Sequence, residues 1–144
     1  MMPFRELNYS YTEEYKTTED FLIYNRNSLV GDYEGPYTDL FMETTAIIDK
    51  LREDPETRRA ILVLNDQDHF MSCLVSVQFL IERQKLHCVA NFRSQHAKLG
   101  RPHDIEYLRH LMTLVYRPLK KEMKLSPGKI HINVADYHYY KTTD

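Results

Sequence analysis

The strongest local constraint in this chain is a pair of strand-like runs, residues 73–81 and 86–93, separated by the polar stretch Glu82-Arg83-Gln84-Lys85. Two alternating runs with so short a polar break between them fold back on each other as a β-hairpin. A turn centred between Arg83 and Gln84 sets Phe79 opposite Cys88 and Cys73 opposite Ser94, with Arg93 one position away. Facing Cα atoms in an antiparallel pair lie about 4.5–5.5 Å apart, so a thiol, a guanidinium and a hydroxyl converge at the open end of the hairpin. Two readings follow from the residues alone. Arg93 holds an anion beside Cys73 and favours the thiolate, which is the nucleophilic form; or Cys73 is a small buried hydrophobe and Arg93 a solvated strand-end charge.

Around the hairpin, periodicity switches between helix and strand. Leu40, Phe41, Thr44, Ile47, Ile48 and Leu51 recur at helical spacing and Asp54-Pro55 stops them, which predicts a helix over 39–53. The apolar run 60–64 reads as a short strand buried on both faces. Gly100 and Pro102 turn the chain into a second helix, 104–117, with Ile105, Leu108, Leu111, Met112 and Val115 on its apolar face and Pro118 kinking or ending it. Ser126-Pro127-Gly128 leads to a last strand through Ile130, Ile132 and Val134, followed by a polar and aromatic tail to Tyr140. The first 36 or so residues offer only the apolar stretch from Phe21 to Tyr24, and their structure is the least predictable from sequence. The order is α+β, a mixed sheet packed with helices, and 144 residues without repeat or linker are expected to form one domain.

Composition narrows the function classes. Hydrophobic residues at 42% and charged ones at 28% exclude disorder. A formal net charge of -2 gives no reason to expect binding to polymeric nucleic acid, so any phosphate recognition is local. Cys73 and Cys88 form no CxxC or Cys/His ligand spacing; neither a metal site nor a disulfide framework is indicated, and a reduced, cytoplasmic setting is expected. No apolar run approaches the roughly 20 residues of a membrane span, and the N-terminus lacks a secretory pattern.

A longer pattern decides between the two readings of Cys73. Asp54-Pro55-Glu56-Thr57-Arg58-Arg59 closes a helix with an arginine pair. Cys73 follows a strand, Gln78 comes five positions later, and Arg93-Ser94 twenty positions after the Cys. Leu99-Gly100-Arg101-Pro102 then leads to Asp104, and Ala135-Asp136-Tyr137-His138-Tyr139-Tyr140 closes the series. This string resembles the thymidylate synthase family, which includes the deoxycytidylate hydroxymethylases.

The resemblance implies a fold, a chemistry and a role for each matched residue. Cys73 would add to C6 of a pyrimidine so that C5 can attack a one-carbon donor. Arg58 and Arg59, reaching from the partner subunit of a homodimer, would grip the 5′-phosphate with Arg93 and Ser94. Asp104 stands where the family has an Asn or Asp that reads the base. An Asn amide matches the carbonyl and N3–H of uracil, whereas an aspartate accepts from the amino group of cytosine and with one shared proton also satisfies N3. Gln78 would order the nucleotide, and His138 and Tyr140 would bond the sugar hydroxyl. Cys73 and Gln78 fall on opposite faces under strict alternation, so a β-bulge between them is expected. The best upstream candidate for a catalytic carboxylate is Glu19.

The implied cofactor is 5,10-methylenetetrahydrofolate. His96 replaces an Asp that contacts it, and the segment that closes over it is expected to be lacking. The leading expectation is therefore an enzyme transferring a one-carbon unit to C5 of a cytidine monophosphate, a chemistry typical of bacteriophages that modify their DNA. The alternatives are a shortened family member that binds nucleotide or a partner without transfer, and an unrelated α+β interaction domain.

Overall fold

The computed structural model describes residues 3–15, 36–64 and 73–140. Strands β1 (Pro3–Glu14), β2 (Ile61–Val63), β3 (Leu74–Glu82), β4 (Lys85–His96) and β5 (Ser126–Tyr140) form one sheet in the order β1-β5-β4-β3-β2. Helices α1 (Pro36–Glu53) and α2 (Gly100–Lys120) pack on each other and on the sheet. All neighbouring strands are antiparallel except β4 and β5, which α2 connects in parallel. The sheet is mixed, as the sequence predicts.

The hairpin is made by β3 and β4. Arg83 and Gln84 both have positive φ, 53° and 62°, the pattern of a two-residue type I′ turn whose twist matches the strands. Near the turn the expected register holds, with Phe79 opposite Cys88. Towards the open end it shifts by one residue between Leu74 and Ser76, and Leu74 faces Phe92. Cys73 consequently lies opposite Arg93 rather than Ser94, and the Arg93 N–H donates to the Cys73 carbonyl at 2.8 Å. The irregularity is the expected bulge; it lies between Cys73 and Gln78.

The slip is not confined to β3. In β4, Phe92 and Gln95 are buried with two more exposed residues between them; in β5, Val134 and Tyr137 repeat the pattern, and in β1, Asn8 takes φ 55°. Phe92 pairs with both Leu74 and Val134, and Val134 with Tyr9, so these breaks form one line across four strands. Below the line, Val77, Phe79, Cys88, Ala90, Ile130 and Ile132 point into a core shared with α1 and α2. Above it, the inward positions become Gln95 and Tyr137, and the alternate positions Ser94, Asp136 and His138 turn outward.

Two expectations are corrected, and one region that the sequence leaves open is filled. The run 60–64 is buried on one face only: Ile61 and Val63 are 42% and 58% exposed, because β2 is the sheet edge and meets no layer on its outer side. The helices start earlier than their apolar periodicity, at Pro36 and Gly100, and Pro118 lies inside α2, which runs on to Lys120. The N-terminal region contains a full edge strand, β1. Its inward Tyr11 and the Tyr15 that follows it bond Gln95 and Thr113 through their hydroxyls, so an apolar period is not visible there. No described helix is long and apolar enough to cross a membrane.

Arg83 and Gln84 pay the steric cost that non-glycine residues meet at positive φ, where Asn-Gly is favoured. Replacing them (Arg83→Asn with Gln84→Gly) is expected to raise stability by about 1 kcal/mol, or about 3 °C in the thermal midpoint. An unchanged or lower midpoint in a calorimetric scan would argue against the turn.

Candidate active site

The residues above the slip line occupy one end of the sheet. Ser94 of β4 pairs with Asp136 of β5, and His96 with His138. Arg5 of β1 pairs with His138 from the other side. Arg5, Ser94, Asp136, His138 and Tyr140 line a cleft of about 230 Å³. Within it, Arg5 Nη2 meets Asp136 Oδ2 at 3.1 Å, and the ring of His138 stands edge-on to those of Tyr140 and His96 at 6.1 and 5.8 Å. Cys73 and Arg93 adjoin this end across β3 and β4.

The two cysteines differ sharply. Cys73 is exposed at the bend preceding β3, whereas Cys88 is fully buried in the core and burial pushes its thiol far above the ordinary range. The bland reading of a buried hydrophobe therefore describes Cys88, not Cys73.

The N-terminus of α2 brings Asp104 to the same end. Ahead of the helix, His96 Nδ1 accepts from the backbone N–H groups of Lys98 and Leu99 at 3.2 and 3.0 Å, closing the turn that launches it. Gly100 is the seam: a Cβ there would sit 3.5 Å from His96 Cβ and 3.7 Å from Asp104 Oδ2. Asp104 Oδ2 accepts from Gln95 Nε2 at 3.0 Å, and Gln95 Oε1 in turn accepts from the Tyr11 hydroxyl at 2.5 Å. Burial raises the Asp104 carboxyl above its ordinary range, opposed by the Gln95 hydrogen bond and by His103.

The remaining candidates lie elsewhere. Gln78 Nε2 donates to the Arg58 carbonyl at 2.8 Å, which ties Gln78 to the turn after α1. There Asp54, Glu56, Thr57, Arg58 and Arg59 line a separate cleft of about 380 Å³. Gln78 lies five positions along the strand from Cys73, roughly 17 Å at the usual rise, so the chain does not bring Arg58 and Arg59 to its own Cys73. Glu19 lies outside the described residues. Arg5, Gln95 and the ion-paired Asp136 were not singled out by sequence; Gln95 and Asp136 stand beside or in a motif whose other members were, whereas Arg5 stands in none. Among the described residues, no three His, Cys, Asp or Glu side chains gather as a metal site.

Comparison with known proteins bears on this geometry directly. The sequence matches the thymidylate synthase family over residues 7–143. The chain belongs to the thymidylate synthase family. It is 32% identical over 116 residues to the bifunctional dihydrofolate reductase-thymidylate synthase of Zea mays, covering 77% of this chain and 21% of that protein. The putative bifunctional protein of Oryza sativa subsp. japonica is 31% identical over 117 residues, covering 78% and 22%. The crystal structure of thymidylate synthase from T4 phage superposes with a TM-score of 0.63 at 23% identity, over 89% of this chain and 49% of that one, a likeness of fold. The chain thus spans about a fifth of the length of the plant relatives. Its family is one of transferases.

The contrast between the two cysteines is directly measurable. Cys73 is expected to alkylate at least about a hundredfold faster than Cys88, because the latter reacts only after a local opening of about 3 kcal/mol or more. Peptide mapping after timed iodoacetamide treatment reads both rates; comparable rates would contradict the burial of Cys88.

Proposed function

We propose that the chain binds a pyrimidine nucleoside monophosphate and that Cys73 adds to C6 of the base, opening a C5 one-carbon transfer of the (d)CMP hydroxymethylase type. The observation that supports this best is the pairing of an exposed Cys73 with Arg93 beside the cleft of Ser94, His138 and Tyr140. The thiolate pair forms an S–C6 bond while the C5=C6 π pair moves to C5, which then attacks a one-carbon electrophile. Loss of the C5 proton, with departure of the carrier from the new one-carbon group, leaves an exocyclic methylene on the ring while sulfur is still bound at C6. Water adding there gives a hydroxymethyl product and hydride a methyl one, and cleavage of S–C6 then restores the C5=C6 bond and frees the thiolate. In this reading Arg93 and Ser94 hold phosphate, His138 and Tyr140 the sugar hydroxyl, Asp104 the cytosine edge, and Glu19 the proton transfers. Gln78 acts on the nucleotide only by releasing the Arg58 carbonyl.

The family cofactor, methylenetetrahydrofolate, fits the described residues poorly. Where the family carries an Asp against it, the His96 Nδ1 lone pair is engaged by two backbone N–H groups. Its remaining ring nitrogen carries the proton and donates, whereas a carboxylate accepts. This favours, as a second reading, a nucleotide-binding family member without folate-dependent transfer.

The distance of Arg58 and Arg59 from Cys73 supports a homodimer in which they serve the partner's site. The sheet face away from the helices suits a second copy. It carries the hydrogen-bonded row Ser10, Asn133, Asn91 and Ser76, flanked by the exposed Ile61 and Val63.

Incubation with 5-fluoro-dCMP is expected to give a covalent adduct detectable by mass spectrometry, abolished by Cys73→Ser and retained by Cys88→Ser. Release of tritium from C5-labelled dCMP should follow the same pattern with or without folate. Binding without adduct or exchange would establish the second reading instead.

Sharing of the site is tested by mixing. Cys73→Ser and the double variant Arg58→Ala/Arg59→Ala should each be inactive in C5 exchange, and together regain about a quarter of the parent's activity, because half of randomly formed dimers are mixed and each holds one intact site. No recovery after refolding the two together would place the arginines in their own chain's site or outside it.

A further inference from the structure

The inward positions above the slip line are polar, and they form a directed hydrogen-bond series. Arg101 of α2 lies over the Tyr11 ring, 3.9 Å from its centroid, and donates to the Tyr137 hydroxyl at 2.9 Å and to Glu13 at 2.8 Å. Tyr11 is thereby fixed, and its hydroxyl meets Gln95, which is only 2% exposed. An ionised Asp104 offers acceptors only, so the Gln95 amide must present its NH₂ to Asp104 and its oxygen to Tyr11. Tyr11 must then be the donor. The amide cannot invert without setting its oxygen against the carboxylate.

This direction matters for a base. A neutral carboxyl pairs with either pyrimidine: its O–H can sit opposite cytosine N3 with its carbonyl oxygen opposite the amino group, or opposite uracil O4 with its carbonyl oxygen opposite N3–H. The two pairings place the proton on different carboxyl oxygens. An N–H already donated to Oδ2 keeps that oxygen an acceptor, because a hydroxyl oxygen accepts poorly, and leaves the proton to Oδ1. We infer that Gln95, its NH₂ set on Oδ2 by the carboxylate and its oxygen engaged by Tyr11, is the positioning residue that makes Asp104 a one-way donor–acceptor pair and so sets which pyrimidine the site accepts. The inference rests on Asp104 as the base-reading group and goes beyond it: with cytosine, Oδ1 faces N3 and Oδ2 faces the amino group.

Asp104 faces Gln95 of β4, Tyr11 of β1 and His103 of its own helix, and behind Tyr11 lies Arg101 of α2 with its partners Glu13 of β1 and Tyr137 of β5. Gln95 donates a hydrogen bond to the carboxylate, and His103 acts on it through its charge. Its removal leaves either oxygen able to carry the proton and raises the pH at which Asp104 ionises, since the hydrogen bond favours the charged form.

The test uses the full chain with Gln95→Leu, the milder Tyr11→Phe and, to assign the Asp104 signal, Asp104→Asn. Carbon-13 NMR follows ionisation of Asp104 in the ligand-free protein, and calorimetry gives the dissociation constants for dCMP and dUMP at pH 7. The parent should prefer dCMP by about 10- to 100-fold. Gln95→Leu should raise the Asp104 midpoint and bring the ratio towards unity by tightening dUMP binding, with Tyr11→Phe moving both in the same direction by less. If Gln95→Leu fails to fold, Tyr11→Phe alone decides on the same two readouts. A parent that binds both nucleotides equally overturns the base-reading role of Asp104 itself. A discriminating parent whose ratio or Asp104 midpoint is unmoved in the variants overturns the role of Gln95 alone.

Discussion

The one-residue slip that crosses β3, β4, β5 and β1 is the constraint on which the rest of this structure depends. A strand puts alternate side chains on alternate faces, so a chain that must build a core along most of a sheet and a polar site at one end cannot do both with a single phase. Inserting one residue at Val75, and stretching the alternation at Arg93-Ser94 and Ala135-Asp136, changes the phase without breaking the pairing of β4 with β5. Because the slips are stacked in neighbouring strands, the sheet bends as a unit. A slip in one strand alone would have put its site residues among its neighbours' core residues.

The same change of phase creates an obligation that the chain meets. Gln95 and Tyr137 turn inward where Cys88 and Ile132 do lower down, and buried polar groups are costly unless paired. Each finds a partner: Gln95 bonds Tyr11 and Asp104, and the Tyr137 hydroxyl bonds Arg101. Tyr9 stacks on Tyr137 at 4.4 Å and fills the apolar side of the same group. What replaces the hydrophobic core here is a network in which every member is oriented by another, and orientation is what a site requires that a core does not.

These features were unequally legible in the sequence. Both helices and the β3–β4 hairpin, down to its central turn residues, follow from local periodicity, because their inward positions are aliphatic. The bulge was accessible only indirectly: Cys73 and Gln78, five residues apart, could not share a face without it. β1 was hidden because tyrosines that bury their rings and bond their hydroxyls score as neither apolar nor polar. The edge position of β2 was hidden because an apolar run of strand length carries no record of how many layers cover it. Of the candidate site, the motif residues were named through the family resemblance and not from any local periodicity. Arg5 and Gln95 were not named, since a contact across long sequence separations leaves no local signal.

The site's dependence on the fold extends to what the chain cannot reach. β3 carries Cys73 at one end and Gln78, bonded to the Arg58 carbonyl, towards the other. A strand does not shorten, so the arginine pair stays remote from the thiol of its own chain for as long as the sheet persists. If those arginines hold a phosphate, the second half of the site is another molecule's, and nucleotide binding and self-association become linked equilibria. Nucleotide bound across the two copies then stabilises the pair by mass action, so apparent affinity rises with protein concentration, and dilution weakens binding without altering any contact within one chain.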